Sequence, residues 1–274
     1  MNESATLWIV ATPIGNLDDI APRAVAVLKS VAAVACEDTR HARVLMDRYN
    51  VTTPLLAYHE HNERELAPKL VARLEGGDSL ALVSDAGTPL VSDPGFRLVR
   101  AARERGLRVS TVPGTCAAIA ALSVAGLPCE RFAFEGFLPA KAAARRERLA
   151  ELAHEPRTLV FYESKHRIEE SLEDLVSAFG AARPAAIGRE LTKAHETVLV
   201  GGLRDLLGRV REDAEQRLGE FVLVVAGAGD SADDARRAEG ERVYALLARE
   251  LPPGKAAKLA AAITGAKRND LYRG

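Results

Sequence analysis

Short apolar runs and longer amphipathic segments take turns along the first half of this chain, and that alternation limits the fold more than any other feature. TLWIV, AAVAC, PLLAY, LALVS and RVSTV read as strands, each too short for a helix interior. Between and after them lie PRAVAVLKSV, RHARVLMDRY, ERELAPKLVARLEGG, DPGFRLVRAARERG and CAAIAALSVAG. These carry helical character: Pro22 suits a first helical turn, and Gly76 and Gly77 suit a stop. Strands alternating with helices predict an α/β fold on a mainly parallel sheet. Runs lacking polar alternation predict strands covered on both faces.

After AGLP the rhythm changes. RFAFEGF alternates, KAAARRERLAEL reads as a basic helix, RTLVFYE as a strand and HRIEESLEDLVSAFG as an amphipathic helix, while PAAIGRE, HETVLVGGL and EFVLVVAGAG add strands. The expected organisation is two α/β domains, residues 1–127 and 128–229, followed by a hydrophilic linker and a small helical basic tail in 230–274. From Leu251 onward Lys255, Lys258, Lys267, Arg268 and Arg273 stand against Asp270 alone. Leu259, Ile263 and Leu271 are expected to pack together there and leave the cations outward.

The 47% hydrophobic content is enough for packed cores, and the net charge of −1 excludes a globally basic nucleic-acid binder while leaving local patches open. Cys36, Cys116 and Cys129 form no close pair and leave one over, which fits a reducing compartment better than a disulfide framework. MNESATLWIVATP lacks the layout of a signal peptide, and no window reaches eighteen uninterrupted apolar residues. A soluble cytoplasmic chain with no membrane partner is expected.

Several strands run into loops almost free of bulky side chains: ATPIGNLDD, SDAGTPLVSDPG, PGTCAA and GREL. In a parallel sheet such loops sit at the carboxyl ends of strands, where ligands bind, and small residues let backbone groups approach closely. Asp93-Pro94 reads as the cap and first turn of the next helix, which leaves Ser84 to Pro89 as a ligand-cradling loop. TPIGN is not followed by Lys-Ser/Thr, and GxGxxG is absent, so neither common nucleotide loop is present. An adenosine ligand held by backbone remains open. His59 and His61 in YHEHNE invite a metal reading, but no third ligand motif accompanies them and no metal is expected.

Read in order, ATPIGNLDDI, CEDTRH, HEHNE, LVSDAGTPLVSDPG, PGTCAAIAALSVAGLP, FEGFLP, FYESKHR and RELTK resemble the cytidine 2′-O-methyltransferases of small-subunit ribosomal RNA. That family is similar in fold to the tetrapyrrole methylases (class III methyltransferases). The resemblance extends into LPPGKAAKLAAAITGAKRNDLY. It implies two α/β domains with a cofactor cleft between them, S-adenosylmethionine as methyl donor, 16S rRNA in the small ribosomal subunit as partner, and a homodimer. It also implies donor contacts from Pro13, Ile14, Asp85, Ala86, Gly87, Leu90, Thr115, Cys116, Ala117, Glu163 and Leu191. The first and fourth loops depart from the GxGPGD and GDP patterns of porphyrinoid enzymes, which favours the RNA branch. A tetrapyrrole C-methyltransferase and a non-catalytic ribosome-binding protein are the alternatives.

A ribose hydroxyl is a poor nucleophile, so a nearby base should assist it. Asp38 is the first candidate, because porphyrinoid relatives carry an acidic residue near this point; the competing role for Asp38 is to cap the following helix. Glu190, too polar for a strand end facing only core, is the second. Arg40 suits a phosphate. His59 and Asn62 read as substrate contacts, as do Lys165 and His166, although the latter pair equally suits a solvated helix start. Lys255, Lys267 and Arg268 complete the candidate RNA surface.

Overall fold

The computed structural model describes residues 5–228 and 232–271. The chain forms two compact units: Met1–Val124 with Gly188–Thr197, and Ala125–Ile187 with Val198–Gly274. In the first, β1 (Thr6–Val10), α1 (Pro22–Ser30), β2 (Ala33–Cys36), α2 (Thr39–Arg48), β3 (Leu55–Ala57), α3 (Glu63–Glu75), β4 (Leu80–Leu82), α4 (Phe96–Glu104), β5 (Arg108–Val112) and α5 (Ala117–Val124) follow one another. The sheet is parallel throughout, in the order β3-β2-β4-β1-β5.

From β1 through β2 to β3 the chain steps one way across the sheet, and from β3 through β4 to β5 it steps back. Right-handed crossovers then place α1 and α2 on one face and α3 and α4 on the other. The core obeys this. Leu28, Leu45 and Met46 pack with Val10, Val34, Ala81 and Val83, whereas Leu70, Leu74 and Leu98 pack with Leu7, Ala33, Ala35, Leu80 and Leu82. Successive residues of β2 and β4 thus serve opposite faces, as the two-residue period of a strand requires.

This strand order positions the site. The strands flanking β4, β2 and β1, both send the chain to one face, while β4 sends it to the other. The backbone therefore diverges on each side of β4 and opens the carboxyl edge of the sheet, where α/β proteins place their ligands.

The second unit contains β6 (Phe132–Phe137), α6 (Ala142–Leu152), β7 (Thr158–Ser164), α7 (Ile168–Phe179), β8 (Pro184–Arg189), β9 (Thr197–Gly202), α8 (Leu203–Glu212) and β10 (Glu220–Val225). Its sheet order is β6-β7-β10-β8-β9. This sheet is mixed, since β7 runs parallel to β6 and antiparallel to β10. Phe161, Leu172, Leu175, Leu206 and Leu223 centre its core. The basic helix α6 is not a bare cationic surface. Arg145 is buried and its Nε donates to Asp174 at 2.7 Å, Arg146 donates to the other oxygen of Asp174 at 2.8 Å, and Arg148 reaches Glu135 and Glu151. Burial pushes the Asp174 carboxyl upward, but the hydrogen bonds from Arg146 and Arg145 outweigh it and leave the group below its usual range.

The C-terminal segment differs from the linker and tail expected of it. Residues Ala232–Leu247 form a helix, α9, followed by α10 (Pro253–Thr264) and α11 (Arg268–Leu271). Gly240, within the stretch expected to be a linker, lies where a Cβ would stand 2.6 Å from Ala266 Cβ and 2.9 Å from Leu271 Cδ2. The glycine is what lets α9 approach its neighbours. Val243, Tyr244 and Leu247 pack there on Ala257, Ala260, Ala266 and Leu271. Leu259 and Ile263 do not join Leu271 as expected; they are 39% and 66% exposed. Alanines form the buried face of α10 because only small side chains fit at this separation. Gly265, left-handed at φ 73°, ends α10. Arg273 lies outside the described residues.

Candidate active site at the carboxyl edge of the first sheet

Four strand-end loops of the first unit are tied together by backbone. The Thr12 amide donates to the Gly87 carbonyl at 2.8 Å, and the Gly87 amide donates back to the Thr12 carbonyl at 3.0 Å. This pair joins the loops after β1 and β4. The Thr115 hydroxyl donates to the Thr12 carbonyl, and Thr88 Oγ1 donates to the Thr115 carbonyl at 2.8 Å, which adds the loop after β5. Asp85 Oδ1 accepts from the Asp38 amide at 3.0 Å and brings in the loop after β2.

Gly87 sits at φ +77°, and a Cβ there would stand 3.3 Å from Ile14 Cγ2 and 3.7 Å from the Thr115 carbonyl. Leu90 and Ser92, at φ 73° and 66°, also occupy the left-handed region that side chains resist. Such conformations gather where a loop is shaped for a ligand. Ile14, Gly87 and Thr115 thus meet at one junction; Pro13, Asp85, Ala86 and Leu90 lie along the loops it joins, and Cys116 and Ala117 at the start of α5.

Asp93 does not cap α4. The capping position belongs to Gly95, at φ 136° and without a side-chain bond, because a Cβ there would strike Leu82 Cδ2 at 2.6 Å. Asp93 is instead half-buried near Glu37 and Asp85. Burial raises its pKa to about 6, with a hydrogen bond from Ser84 opposing and the charges of Glu37 and Asp85 assisting. Glu37 is itself raised by burial and by Asp85. The neighbouring Cys36 thiol is pushed to about 11 by burial, Asp85 and Asp38. Three carboxylates therefore concentrate negative potential beside the junction. Sequence reading gave Glu37 no role and took Asp93 only as a helix cap; the available signal was that CED and SDA follow the adjacent parallel strands β2 and β4, which brings Glu37 and Asp85 together.

Asp38 is the N-cap of α2. Its Oδ1 accepts from the Arg40 amide at 2.8 Å and from Arg40 Nε at 3.1 Å, and its Oδ2 accepts from Arg40 Nη2 at 2.6 Å. The Arg40 side-chain hydrogen bonds hold this carboxyl far below the usual range. Asn62 closes the turn from β3 into α3, accepting from the His59 amide at 2.9 Å and donating to the Ala57 carbonyl at 3.0 Å. The His59 and His61 rings meet edge to face at 5.9 Å. Among the described residues no group of three His, Cys, Asp or Glu is arranged to hold a metal.

After β8, Glu190 (φ 49°) and Thr192 (φ 68°) flank the buried Leu191, and Glu190 Oε1 lies 2.9 Å from Lys193 Nζ. In the second unit Glu163 is buried, accepting from Ser171 Oγ at 2.6 Å and the Ser164 amide at 2.8 Å and pairing with Arg167 at 2.8 Å. Its carboxylate thus organises the turn into α7. Lys165 and His166 are exposed in that turn, and Lys255, Lys267 and Arg268 are exposed on the C-terminal helices.

The family model described as Tetrapyrrole (Corrin/Porphyrin) Methylases matches residues 6–207, and the one described as RsmI C-terminal HTH domain matches residues 234–273. A Xylella fastidiosa protein named ribosomal RNA small subunit methyltransferase I is 60% identical over 274 residues, all of both chains. The chain belongs to that family. A Pseudomonas aeruginosa member is 55% identical over 271 residues, 98% of this chain and 96% of its own. An Escherichia coli O157:H7 member is 51% identical over 272 residues, 99% and 95% of the two chains. Among solved structures the methyltransferase CobJ has a TM-score of 0.61 at 22% identity, and uroporphyrin-III-C-methyltransferase from Thermus thermophilus 0.56 at 23%; each match covers 82% of this chain and 95% of the other. These two give this family member the tetrapyrrole methylase fold.

The acid cluster has a measurable cost. The folded-state pKa of Asp93 stands above its ordinary 3.8, so its favourable contribution is present below about pH 4 and is lost as pH rises through about 6. The gap from 3.8 to about 6 converts to about 3 kcal/mol, and solvent screening of this half-buried group lowers it to about 2 kcal/mol. Asp93→Asn should therefore match the parent in urea midpoint near pH 4 and exceed it at pH 8. A gap independent of pH would refute the assignment.

Proposed function

We propose that this chain transfers a methyl group from S-adenosylmethionine to the ribose 2′-hydroxyl of a cytidine in 16S rRNA near the decoding centre of the small ribosomal subunit. The observation that carries this reading is the full-length identity with relatives named for the small-subunit RNA, which extends through the C-terminal helices. The solved tetrapyrrole enzymes share only the fold, so they give the alternative substrate no further support.

The residues of the carboxyl edge fit the donor. Backbone converges at Gly87, which contributes no side chain of its own, and the carboxylates of Glu37, Asp85 and Asp93 favour a cationic ligand. S-adenosylmethionine supplies a methyl group already activated on sulfonium, so the protein's task is alignment rather than activation. In this reading the loops at Ile14, Asp85 to Leu90 and Thr115 to Ala117 hold the donor, with Leu191 as a further contact. Asp38 accepts the ribose hydroxyl's hydrogen bond and orients it, because a carboxyl held so low is a weak proton acceptor. Glu190 is the second acid offered for the proton. Arg40, with its side chain 90% exposed, and Lys255, Lys267 and Arg268 meet RNA phosphates, with His59, Asn62, Lys165 and His166 as further substrate contacts. A cytoplasmic homodimer completes the reading, supported by the exposed Ile119 and Val124 of α5 and by the prevalence of two-fold assemblies. Light scattering at micromolar concentration should give twice the chain mass, and a monomer mass would refute it.

Labelled donor incubated with small ribosomal subunits should yield 2′-O-methylcytidine in 16S rRNA and leave uroporphyrinogen unlabelled. Asp38→Asn should keep donor binding and lose at least tenfold in transfer. Gly87→Val should weaken donor binding at least tenfold by calorimetry while unfolding stays cooperative. Charge reversal at Lys255, Lys267 and Arg268 should weaken only subunit binding. Label in the tetrapyrrole, or transfer to neither substrate, would overturn the reading.

A further inference from the structure

Wholly within the first unit, an open pocket of about 590 Å³ lies between the turn after β1 and the segment after β8. Gly15, Asp18, Arg48, Thr192 and Lys193 are among the residues that line it. None of the contacts described above involves Arg48 or Thr192. The volume suits a small-molecule-sized ligand.

Its charged walls have defined partners. Arg48, in the last turn of α2, donates through Nη2 to Asp18 Oδ1 at 3.1 Å. The guanidinium also stands over the Tyr49 ring, 5.8 Å from its centroid, and the Tyr49 hydroxyl donates to the Leu17 carbonyl at 2.7 Å. One carboxylate oxygen and one ring thus orient a group whose other donors suit a phosphate. Opposite, the Lys193 stem crosses Gly15 so closely that a Cβ at Gly15 would collide with it. Arg48 and Lys193 bring two cations to the lining, each with one carboxylate partner, Asp18 and Glu190, and each with further N–H donors for a phosphate.

Thr192 supplies the independent observation. Its Oγ1 is shielded from solvent and has no hydrogen-bond partner, and its backbone is held left-handed at φ 68°. A buried hydroxyl without a partner is uncommon and costly. A hydroxyl both donates and accepts, which matches a ribose hydroxyl, while the fixed guanidinium matches the adjoining phosphate.

We propose that this pocket receives a nucleotide of the RNA strand beside the methylated one, with its phosphate on Arg48 and Lys193 and its ribose hydroxyl on Thr192. The proposal rests on the RNA-methyltransferase reading. It assigns Arg48 and Thr192 to holding the strand, apart from donor binding and from the reacting atoms.

The test is steady-state transfer of labelled methyl to small ribosomal subunits across a salt series. Arg48→Gln should raise KM for subunits about tenfold, and its log(kcat/KM) should fall less steeply with log salt, by about 0.7–0.9 for one lost phosphate contact. Arg48→Lys should restore most of that slope. Thr192→Val should raise KM several-fold with the slope unchanged. Donor affinity by calorimetry and thermal midpoint should match the parent in all three variants. Added cytidine monophosphate at millimolar concentration should compete poorly; strong competition would mark a free-nucleotide site and overturn the assignment to RNA. So would KM and slope within twofold of the parent, or a KM rise matched by lost donor affinity. No transfer by the parent would remove the substrate reading and this proposal with it, whereas variant results alone bear only on the pocket.

Discussion

Two reciprocal backbone hydrogen bonds between Thr12 and Gly87 hold the first unit's functional edge together. They span strand ends whose chains leave for opposite faces of the sheet, where nothing in the ladder itself would keep them close. Gly87 is required there because the turn needs a left-handed residue and Ile14 occupies the space a side chain would take. Removing that pair would free the loops after β1 and β4 from each other. The Thr115 hydroxyl and the Thr88–Thr115 bond would then have no common anchor.

The acid cluster depends on the same junction. Asp85 reaches the Asp38 amide only because the loop after β4 is held between its neighbours, and Asp85 is named among the groups that raise both Glu37 and Asp93. The fold thus accepts a destabilising concentration of negative charge at one sheet edge. The Arg145–Asp174–Arg146 network in the second unit is a contrasting case, in which both oxygens of the buried Asp174 carboxylate meet guanidinium groups.

Fold class was legible because the apolar runs of the first sheet are short, continuous and regularly spaced. Strand order was not, since it depends on which way each crossover steps. Loop composition marked Ile14, Gly87 and Thr115, and the structure brings these together. What misled was residue preference taken one position at a time. Asp93-Pro94 has the composition of a helix start, yet the close approach of Leu82 hands the cap to Gly95. The stretch after 230 read as a hydrophilic linker, yet it forms α9, and Gly240 lets that helix approach its neighbours. Leu259 and Ile263 looked like core, yet the face of α10 that packs on its neighbours is Ala256, Ala257 and Ala260, and those two side chains stay exposed. In each case a distance between elements overrode local preference, and no single-sequence pattern carries that distance.

The central claim is that the junction around Thr12 and Gly87 is where the methyl donor sits. Amide hydrogen exchange with and without S-adenosylmethionine tests it most directly. Protection should concentrate in peptides spanning residues 12–16, 84–91 and 114–119, with the outward faces of α1 and α3 unchanged. Donor binding that protects other segments and leaves these three exchanging at their free rates would contradict the account.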